Sequence, residues 1–373
     1  MDADLAALAR CVGDVDVFAE LYWGRRALLR RNAGRFGDLI DLDAVETLLV
    51  TTARRPTFRL VRDGAPLSPG RYTTTVRLGG ATIDDAADVG RIAELVSDGA
   101  TLVLQGLQRT WLPLVRFCRS LERATSHPVQ ANAYLTPAGA AGLRAHGDAH
   151  EVVVLQVAGT KTWTVDGLGE LELVTGDALY LPAGTTHAAA AQSETSLHLT
   201  IGILRDTYRH VIGRMLDDAG LDRPLPLGFA RPEHAGALAA GLAHVLSATS
   251  SHLARADAAE VAATEVGRAA HRRRPVWTGQ LRSVLAMTDI GDGTRLVRRP
   301  DNPATIGAAV DADGRLVLGL VDRELSLPAH ARGALEVVLG RREMVVGDLV
   351  GLDLPGRCVL ARRLVLEGLL EVG

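Results

Sequence analysis

The chain has 373 residues, which is longer than one ordinary domain and predicts two or three. Hydrophobic residues make up 47% and charged residues 23%, so the composition excludes a disordered chain and allows a sizeable core. The formal net charge of −3 excludes a general electrostatic attraction to nucleic acid and leaves only local basic patches.

The first part of the chain predicts helices that alternate with short strands. Phe18 and Leu21 belong to an apolar stripe at helical spacing, so we expect a helix from residue 1 to about residue 31. Asp41 or Asp43 is a suitable cap for a second helix. The patterns predict helices at 38–51, 84–97 and 112–125, strands at 58–62 and 101–105, and a turn at 63–64.

The middle of the chain predicts a β-rich domain. Short apolar runs are separated by glycine and proline turns, and regular short strands of this kind are typical of a sandwich or barrel. Helices do not alternate with these strands, which argues against a doubly wound parallel sheet. The predicted strands lie at 129–136, 152–157, 162–165, 178–181 and 196–204.

The last part of the chain predicts two further domains. Residues 205–275 are rich in alanine and helical in pattern, with a long helix at 235–256. Residues 276–373 mix helix and strand in a way that suggests a winged-helix-like module. Its predicted elements are a strand at 315–320, a helix at 329–339, a further element at 345–353, and a helix at 360–371 with a short terminal strand. The predicted domains are therefore 1–204, 205–275 and 276–373.

The cysteines and the N-terminus favour a cytoplasmic protein. Cys11, Cys118 and Cys358 are odd in number and far apart, so they predict neither a disulfide framework nor a zinc site. The acidic start at residues 1–4 lacks the features of a signal peptide. No apolar stretch approaches the ~18 residues that a membrane span needs, and we expect no membrane partner.

His146, Asp148 and His187 have the residue types and the spacing of a metal site. Side chains two apart on a strand point to the same face, so we expect a strand that presents His146 and Asp148 together. His187 follows the turn at residues 182–184 and can complete the site from another strand. Two histidines and one carboxylate make the facial triad that holds ferrous iron with positions open for substrates.

Two other histidines are possible members of this site. His150 shares the predicted face of His146 and Asp148, so it is either a rival ligand or a residue at the substrate mouth. His198 lies on the last predicted strand, where a core or supporting role is favoured over direct ligation. The remaining histidines do not cluster.

Lys161 is the only lysine among the 41 basic residues of the chain. It follows the turn at Gly159 and shares a strand face with Trp163. A buried lysine is costly unless it is paired, and the distal carboxylate of a dicarboxylic keto acid would be a suitable partner. Asn132 and Tyr134, two apart on one strand, can add an amide and a phenol hydrogen bond to that carboxylate.

These segments resemble the JmjC and cupin-type 2-oxoglutarate oxygenases, and among them the ribosomal oxygenases. The resemblance covers at least residues 15–204. It rests on Asn132-Ala133-Tyr134-Leu135-Thr136-Pro137, His146-Gly147-Asp148, residues 154–163, the run Gly176-Asp177 to His187, Ser196-Leu197-His198-Leu199-Thr200, and residues 18–26.

The resemblance implies an α+β protein with a double-stranded β-helix core, N-terminal helices, a helical dimerisation region and a C-terminal winged-helix-like domain. It implies Fe(II), 2-oxoglutarate and dioxygen, with His146, Asp148 and His187 as catalytic metal ligands. Lys161 is the implied co-substrate anchor, and the same site includes Asn132, Tyr134 and Thr200. The expected activity is hydroxylation of a protein or peptide side chain by a homodimer, although demethylation starts from the same site.

The segment 164–175 is shorter than expected for the ribosomal oxygenases, so a different peptide, including a natural-product precursor, is an alternative substrate. A cupin that acts on a small molecule without a keto acid is a second alternative, but it would have no need of Lys161. A non-catalytic dimer that binds nucleic acid or the ribosome through the arginine runs at 272–274 and 298–299 is a third. The net charge gives it no support, and nucleic acid is not expected as the primary ligand.

Overall fold

The computed structural model of the chain describes residues 5–140, 144–189, 193–217, 221–222, 224–311 and 313–373. The acidic start at residues 1–4 lies outside them. The chain divides into two compact units, one formed by residues 1–204 with 273–373 and the other by residues 205–272. Among the described residues, no helix is long and apolar enough to cross a membrane.

The N-terminal segment is two short helices and a strand, not the single helix that was predicted to residue 31. Gly13, with φ of +84°, ends the first helix, and the Asp14 carboxylate caps the second by accepting hydrogen bonds from the amides of Asp16 and Val17. Residues 28–30 form an edge strand. The elements are α1 (Ala6–Val12), α2 (Val15–Leu21) and β1 (Leu28–Arg30).

The next segment corrects a second prediction. The helix expected at 84–97 begins only after residue 88, because residues 81–87 pair with the preceding strand and Asp88 caps the helix. Asp41 caps the helix before it. The elements are α3 (Leu42–Thr51), β2 (Phe58–Arg62), β3 (Ala65–Pro66), β4 (Thr73–Leu78), β5 (Ala81–Ala87), α4 (Val89–Ser97), β6 (Thr101–Leu104), α5 (Leu107–Thr110) and α6 (Leu112–Thr125).

Two sheets form the β-rich core of residues 129–203. The large sheet has the order β1-β11-β8-β13-β7-β6-β2-β3, and the small sheet has the order β10-β9-β12. The five strands predicted in this region are present, and the pattern missed the two strands that flank β9. The strands are β7 (Val129–Thr136), β8 (Glu151–Ala158), β9 (Thr160–Val165), β10 (Gly169–Val174), β11 (Ala178–Leu181), β12 (His187–Ala189) and β13 (Ser196–Ile203).

Apolar side chains fill both faces of the large sheet. One face packs against α1, α3 and α6 in a core that includes Phe36, Leu114 and Leu199. The opposite face packs against the small sheet through Val154, Trp163 and other apolar residues. Burial on both faces explains the apolar run Val152–Leu155 in β8, whereas β13 alternates polar or small residues with apolar ones.

Residues 205–272 form a helical unit. Its helices are α7 (Tyr208–Asp217), α8 (Ala235–Ala254) and α9 (Ala258–His271). An ion pair between Arg214 and Glu265 joins α7 to α9, and the His252 ring contacts the carbonyl oxygen of Met215 at 3.2 Å. None of the described residues of these three helices is buried.

The C-terminal part has its own core and two three-stranded sheets, β18-β14-β19 and β15-β16-β17. The helix predicted at 360–371 begins earlier, at Leu354, because Asp353 caps it, and it ends at Leu366. The elements are α10 (Gln280–Leu285), β14 (Arg295–Arg298), β15 (Thr305–Val310), β16 (Arg315–Gly319), β17 (Glu324–Pro328), α11 (Arg332–Gly340), β18 (Glu343–Val345), α12 (Leu354–Leu366) and β19 (Leu370–Val372).

Candidate metal and co-substrate site

His146 and Asp148 do not lie on a strand, which corrects the predicted reason for their convergence. They belong to the irregular connection before β8. A single antiparallel bridge holds this connection to the start of β12, with the His146 amide 3.0 Å from the His187 carbonyl oxygen and the reverse pair at 2.9 Å. Two backbone hydrogen bonds therefore bring the histidines together.

The ligand atoms of His146, Asp148 and His187 all lie within 4.8 Å of one another. Nε2 of His187 is 3.6 Å from the Asp148 carboxylate. Each histidine directs its Nδ1 at a backbone carbonyl oxygen, that of Arg144 at 2.8 Å and that of Thr185 at 2.9 Å. Because a carbonyl can only accept, Nδ1 carries the proton and Nε2 is left free for a metal.

The protonation state of His187 suits a metal ligand. Its side chain is buried, and this burial lowers the pKa of the imidazole below its usual value. The hydrogen bond to Thr185 and the charge of Asp148 act in the opposite direction, while His146 adds to the lowering. A neutral imidazole is the form that binds metal ions, so the ring does not have to lose a proton first.

Lys161 points into the same cavity, which has a volume of about 230 Å³. Its side chain is 1% exposed, and Nζ has no hydrogen-bond partner among the described residues. Burial lowers the pKa of the ammonium group to about 8. An unpaired buried cation of this kind is costly to the fold, so the cavity is better suited to a bound anion than to no ligand.

Asn132, Tyr134 and Thr200 also line the cavity. Asn132 faces Thr200 across β7 and β13, and its Oδ1 accepts a hydrogen bond from the amide of Gly106 at 3.1 Å. Burial raises the pKa of the Tyr134 phenol, so the hydroxyl keeps its proton and can donate.

The two rival histidines are in the cavity wall but outside the three-ligand cluster. His150 contacts the Gln130 side chain at 3.5 Å. His198 is buried and stacks on the Tyr134 ring, with ring centres 4.9 Å apart. Burial, with a contribution from the charge of Lys161, lowers the pKa of His198 to about 3, so this ring is neutral.

The sequence patterns missed Arg59, which lines the cavity from β2. Its position in the chain carries no motif, and only the strand order β7-β6-β2 brings it to the site. Trp163 was noted only as a neighbour of Lys161, yet its buried indole Nε1 has no partner among the described residues.

A family model described as the JmjC domain matches residues 107–172 and 168–211. The bifunctional lysine-specific demethylase and histidyl-hydroxylase NO66 of Dictyostelium discoideum is 34% identical over 130 residues, which cover 28% of this chain and 25% of that protein. Ribosomal oxygenase 2 of Mus musculus is 36% identical over 124 residues, which cover 27% of each protein. The matched part thus spans about a quarter of these relatives.

The fold is similar to that of the Escherichia coli ribosomal oxygenase YcfD. A structure of YcfD with cobalt and succinic acid has a TM-score of 0.55 and 17% identity, and covers 96% of this chain and 98% of that one. A structure with cobalt and 2-oxoglutarate has a TM-score of 0.53 with the same coverage. Residues 107–211 are therefore similar in sequence to the JmjC domain, and the chain is similar to the ribosomal oxygenases in the sequence of that region and in fold.

Proposed function

We propose that the chain is an Fe(II)- and 2-oxoglutarate-dependent oxygenase that hydroxylates a side chain of a protein or peptide. One observation carries this proposal. One cavity is lined both by the cluster of His146, Asp148 and His187 and by the ammonium group of Lys161. That ammonium group is buried and has no partner among the described residues. The first is the ligand set of non-haem ferrous iron, and the second is a counter-ion for an acidic co-substrate.

The residues present fit both groups. The cluster offers one ligand atom from each of three residues and lies at the wall of the cavity, so positions toward the cavity stay open. The similar YcfD structures contain cobalt with succinic acid or 2-oxoglutarate, and the relatives include a histidyl-hydroxylase. These facts support iron and 2-oxoglutarate as the cofactor and co-substrate of this chain.

When bound, iron with 2-oxoglutarate and dioxygen would supply the oxidising power for inserting oxygen into a carbon–hydrogen bond. His146, Asp148 and His187 would hold the metal on one side. The Lys161 ammonium would bind the distal carboxylate of the co-substrate. The Trp163 indole N–H, which also has no partner among the described residues, lines the same cavity. Asn132, Tyr134 and Thr200 would orient the co-substrate by hydrogen bonds.

A small-molecule cupin without a keto acid is the weaker alternative. Such a protein would have no need of a lysine buried at 1% exposure, because the cost of its unpaired charge would not be offset. The two hypotheses differ in whether 2-oxoglutarate binds, which can be measured on the protein loaded with Zn(II), a metal that does not support turnover. We expect the 2-oxoglutarate to bind and Lys161→Met to weaken it by more than about tenfold.

Metal binding and turnover test the proposal directly. We expect the wild-type protein to bind Mn(II) in a calorimetric titration and to form succinate from 2-oxoglutarate when loaded with Fe(II). His146→Ala, Asp148→Ala and His187→Ala should each lose both properties. His150→Ala, a matched change in the same cavity wall, should still bind the metal. An Fe(II)-loaded protein that never forms succinate, with or without candidate peptides, would contradict the proposal.

The other parts of the chain have proposed roles that follow from the same resemblance. Residues 205–275 would mediate homodimerisation, which is supported by exposed apolar side chains such as Leu246 and Val266 at 68% and 71% exposure. Residues 276–373 would form a winged-helix-like domain. The protein would act in the cytoplasm on a protein or peptide partner, in keeping with cysteines that are all free.

A further inference from the structure

Another cleft shares no described residue with the metal and co-substrate cavity, and it lies where α6 meets the C-terminal part of the chain. Its volume is about 410 Å³, a size that accommodates a small molecule. Both of its sides belong to the same compact unit. An ion pair between Arg116 of α6 and Asp301 joins them at 3.3 Å.

The charged side chains of this cleft are mostly cationic. Four arginines and two carboxylates line it, which leaves an excess of two positive charges. This excess is local, because the whole chain has a formal net charge of −3. An anion in the cleft would be stabilised by the surplus. The charged lining residues are Arg116, Arg298, Arg299, Arg342, Asp301 and Glu371.

Arg299 is the buried member of this group, at 4% exposure. Its guanidinium group donates to the carbonyl oxygen of Thr278 and to Oε1 of Gln280, and it pairs with Glu371 at 3.1 Å. Its Nε is buried and has no partner among the described residues. Glu371 is half-exposed, so it offsets only part of the cost of burying the guanidinium charge.

Arg298 and Arg342 add guanidinium groups that are not used elsewhere. A backbone hydrogen bond of 2.7 Å from the Arg298 amide to the Arg342 carbonyl oxygen holds the two residues side by side. Within the part of the chain that the structure describes, neither side chain pairs with a carboxylate, and the one hydrogen bond between them is from Arg298 Nε to the Arg341 carbonyl oxygen. Most of their donors are therefore available to a ligand.

The arrangement matches an anion with two charges and several oxygen acceptors. Guanidinium groups bind phosphate oxygens through pairs of parallel hydrogen bonds. A phosphate monoester has three terminal oxygens and close to two negative charges at neutral pH. A nucleic-acid strand has one charge per phosphate and is bound by a row of cations along its backbone. A single cleft with two surplus charges therefore favours a small phosphate ester.

We propose that this cleft is a binding site for the phosphate group of a small phosphate monoester, which Arg298, Arg299 and Arg342 would hold. The site is additional to the proposed oxygenase site and does not depend on it. Because Arg116 lines the same cleft, the ligand would lie against both α6 and the C-terminal part of the chain.

Calorimetric titration of the whole protein tests the site with two matched probes, phenyl phosphate and phenyl sulfate. The two esters have nearly the same shape, but above about pH 6 the phosphate carries a second negative charge that the sulfate lacks. At neutral pH we expect phenyl phosphate to bind about tenfold or more tightly than phenyl sulfate, because only the dianion matches both surplus charges.

Arg298→Gln and Arg342→Gln should each weaken phenyl phosphate about tenfold. Neither change breaks an ion pair of the described residues, so both variants should unfold in urea as the wild-type protein does. Arg341→Gln is the matched control, because Arg341 is adjacent in sequence, pairs with Asp348 at 3.4 Å and does not line the cleft. It should leave the affinity for phenyl phosphate unchanged, as should Lys161→Met in the other cavity.

Equal affinities for the two esters, or full binding of phenyl phosphate by Arg298→Gln and Arg342→Gln, would overturn the inference. A loss of binding in Lys161→Met would also overturn it, because the ester would then occupy the co-substrate cavity. So would a short single-stranded RNA that binds more tightly than phenyl phosphate and is weakened by Arg298→Gln, since the cleft would then contact a nucleic-acid backbone. The proposed function is tested separately, by metal binding and succinate formation.

Discussion

At the scale of single residues, the site contains side chains that the fold alone does not favour. Lys161, Trp163 and His198 each bury a polar atom without a partner among the described residues, and all three line one cavity. Groups of this kind usually reduce stability. Their concentration in one cavity indicates that a ligand rather than the protein completes their hydrogen bonding.

Lys161→Met should stabilise the ligand-free protein by roughly 2–3 kcal/mol at pH 7. The pKa of Lys161 is lowered to about 8 in the fold, against 10.5 in the unfolded chain, so the buried ammonium opposes folding at neutral pH. Because the unfolded chain holds the proton more tightly, the free energy of unfolding of the wild-type protein should rise between about pH 8 and pH 10.5. Urea unfolding at several pH values checks this, and a variant that is less stable at pH 7 would contradict it.

The affinity for 2-oxoglutarate should depend on pH through the same group. Because only the ammonium form binds a carboxylate, affinity should be constant below about pH 8 and fall about tenfold per pH unit above it. Lys161→Arg keeps a positive charge at all these pH values and should remove the decline. Calorimetry with the Zn(II)-loaded protein measures it, and a wild-type affinity that rises with pH would exclude the ammonium as the anchor.

At the scale of elements, tight turns hold the small sheet against the large one. Gly159 connects β8 to β9 with φ of +65°. A Cβ at this position would collide with the carbonyl oxygen of Thr195, the residue before β13. The turn before β9 therefore packs against the start of β13, and only glycine fits at this position of the turn.

Gly159→Ala should destabilise the protein by about 3 kcal/mol or more, because the collision adds to the strain of a positive φ. Gly167→Ala is the control. Gly167 has φ of +81° in the next turn, and a Cβ there would meet nothing within 4 Å. Only the strain of about 1–2 kcal/mol applies to it. Equal losses of unfolding free energy in urea for the two variants would show that the contact with Thr195 does not matter.

The elements also show what local patterns can and cannot predict. The spacing of His146, Asp148 and His187 was enough to identify the cluster, but the assumed strand was wrong, because a backbone bridge from a distant segment positions the ligands. Edge elements such as β5 and β12 were missed because their pairing, not their composition, makes them strands. Arg59 required the lateral order of the large sheet, which no local pattern contains.

At the scale of the whole molecule, the helical unit of residues 205–272 shows no cluster of buried apolar side chains among its described residues. No described residue of α7, α8 or α9 is buried, whereas both other parts of the chain have clusters of fully buried apolar residues. Leu242 and Leu246, one turn apart on α8, are 47% and 68% exposed. Apolar faces of this extent are typical of association surfaces.

Leu246→Glu should convert a homodimer into a monomer of 39.5 kDa, because the new charge would be buried in the proposed interface. Ala248→Glu adds the same charge two residues away, on the opposite side of α8, and should leave the dimer intact. Light scattering after size-exclusion chromatography measures both masses. A wild-type protein that is already monomeric at micromolar concentration would contradict the dimer.

The backbone bridge between His146 and His187 has a consequence for how a metal would bind. The two residues are far apart in the chain, so bringing them together costs conformational entropy. Two backbone hydrogen bonds between them offset part of this cost when the protein folds. A metal ion would meet a preorganised pair and would not have to order loose segments. The amide hydrogens of both histidines should consequently exchange slowly with solvent before any metal is added.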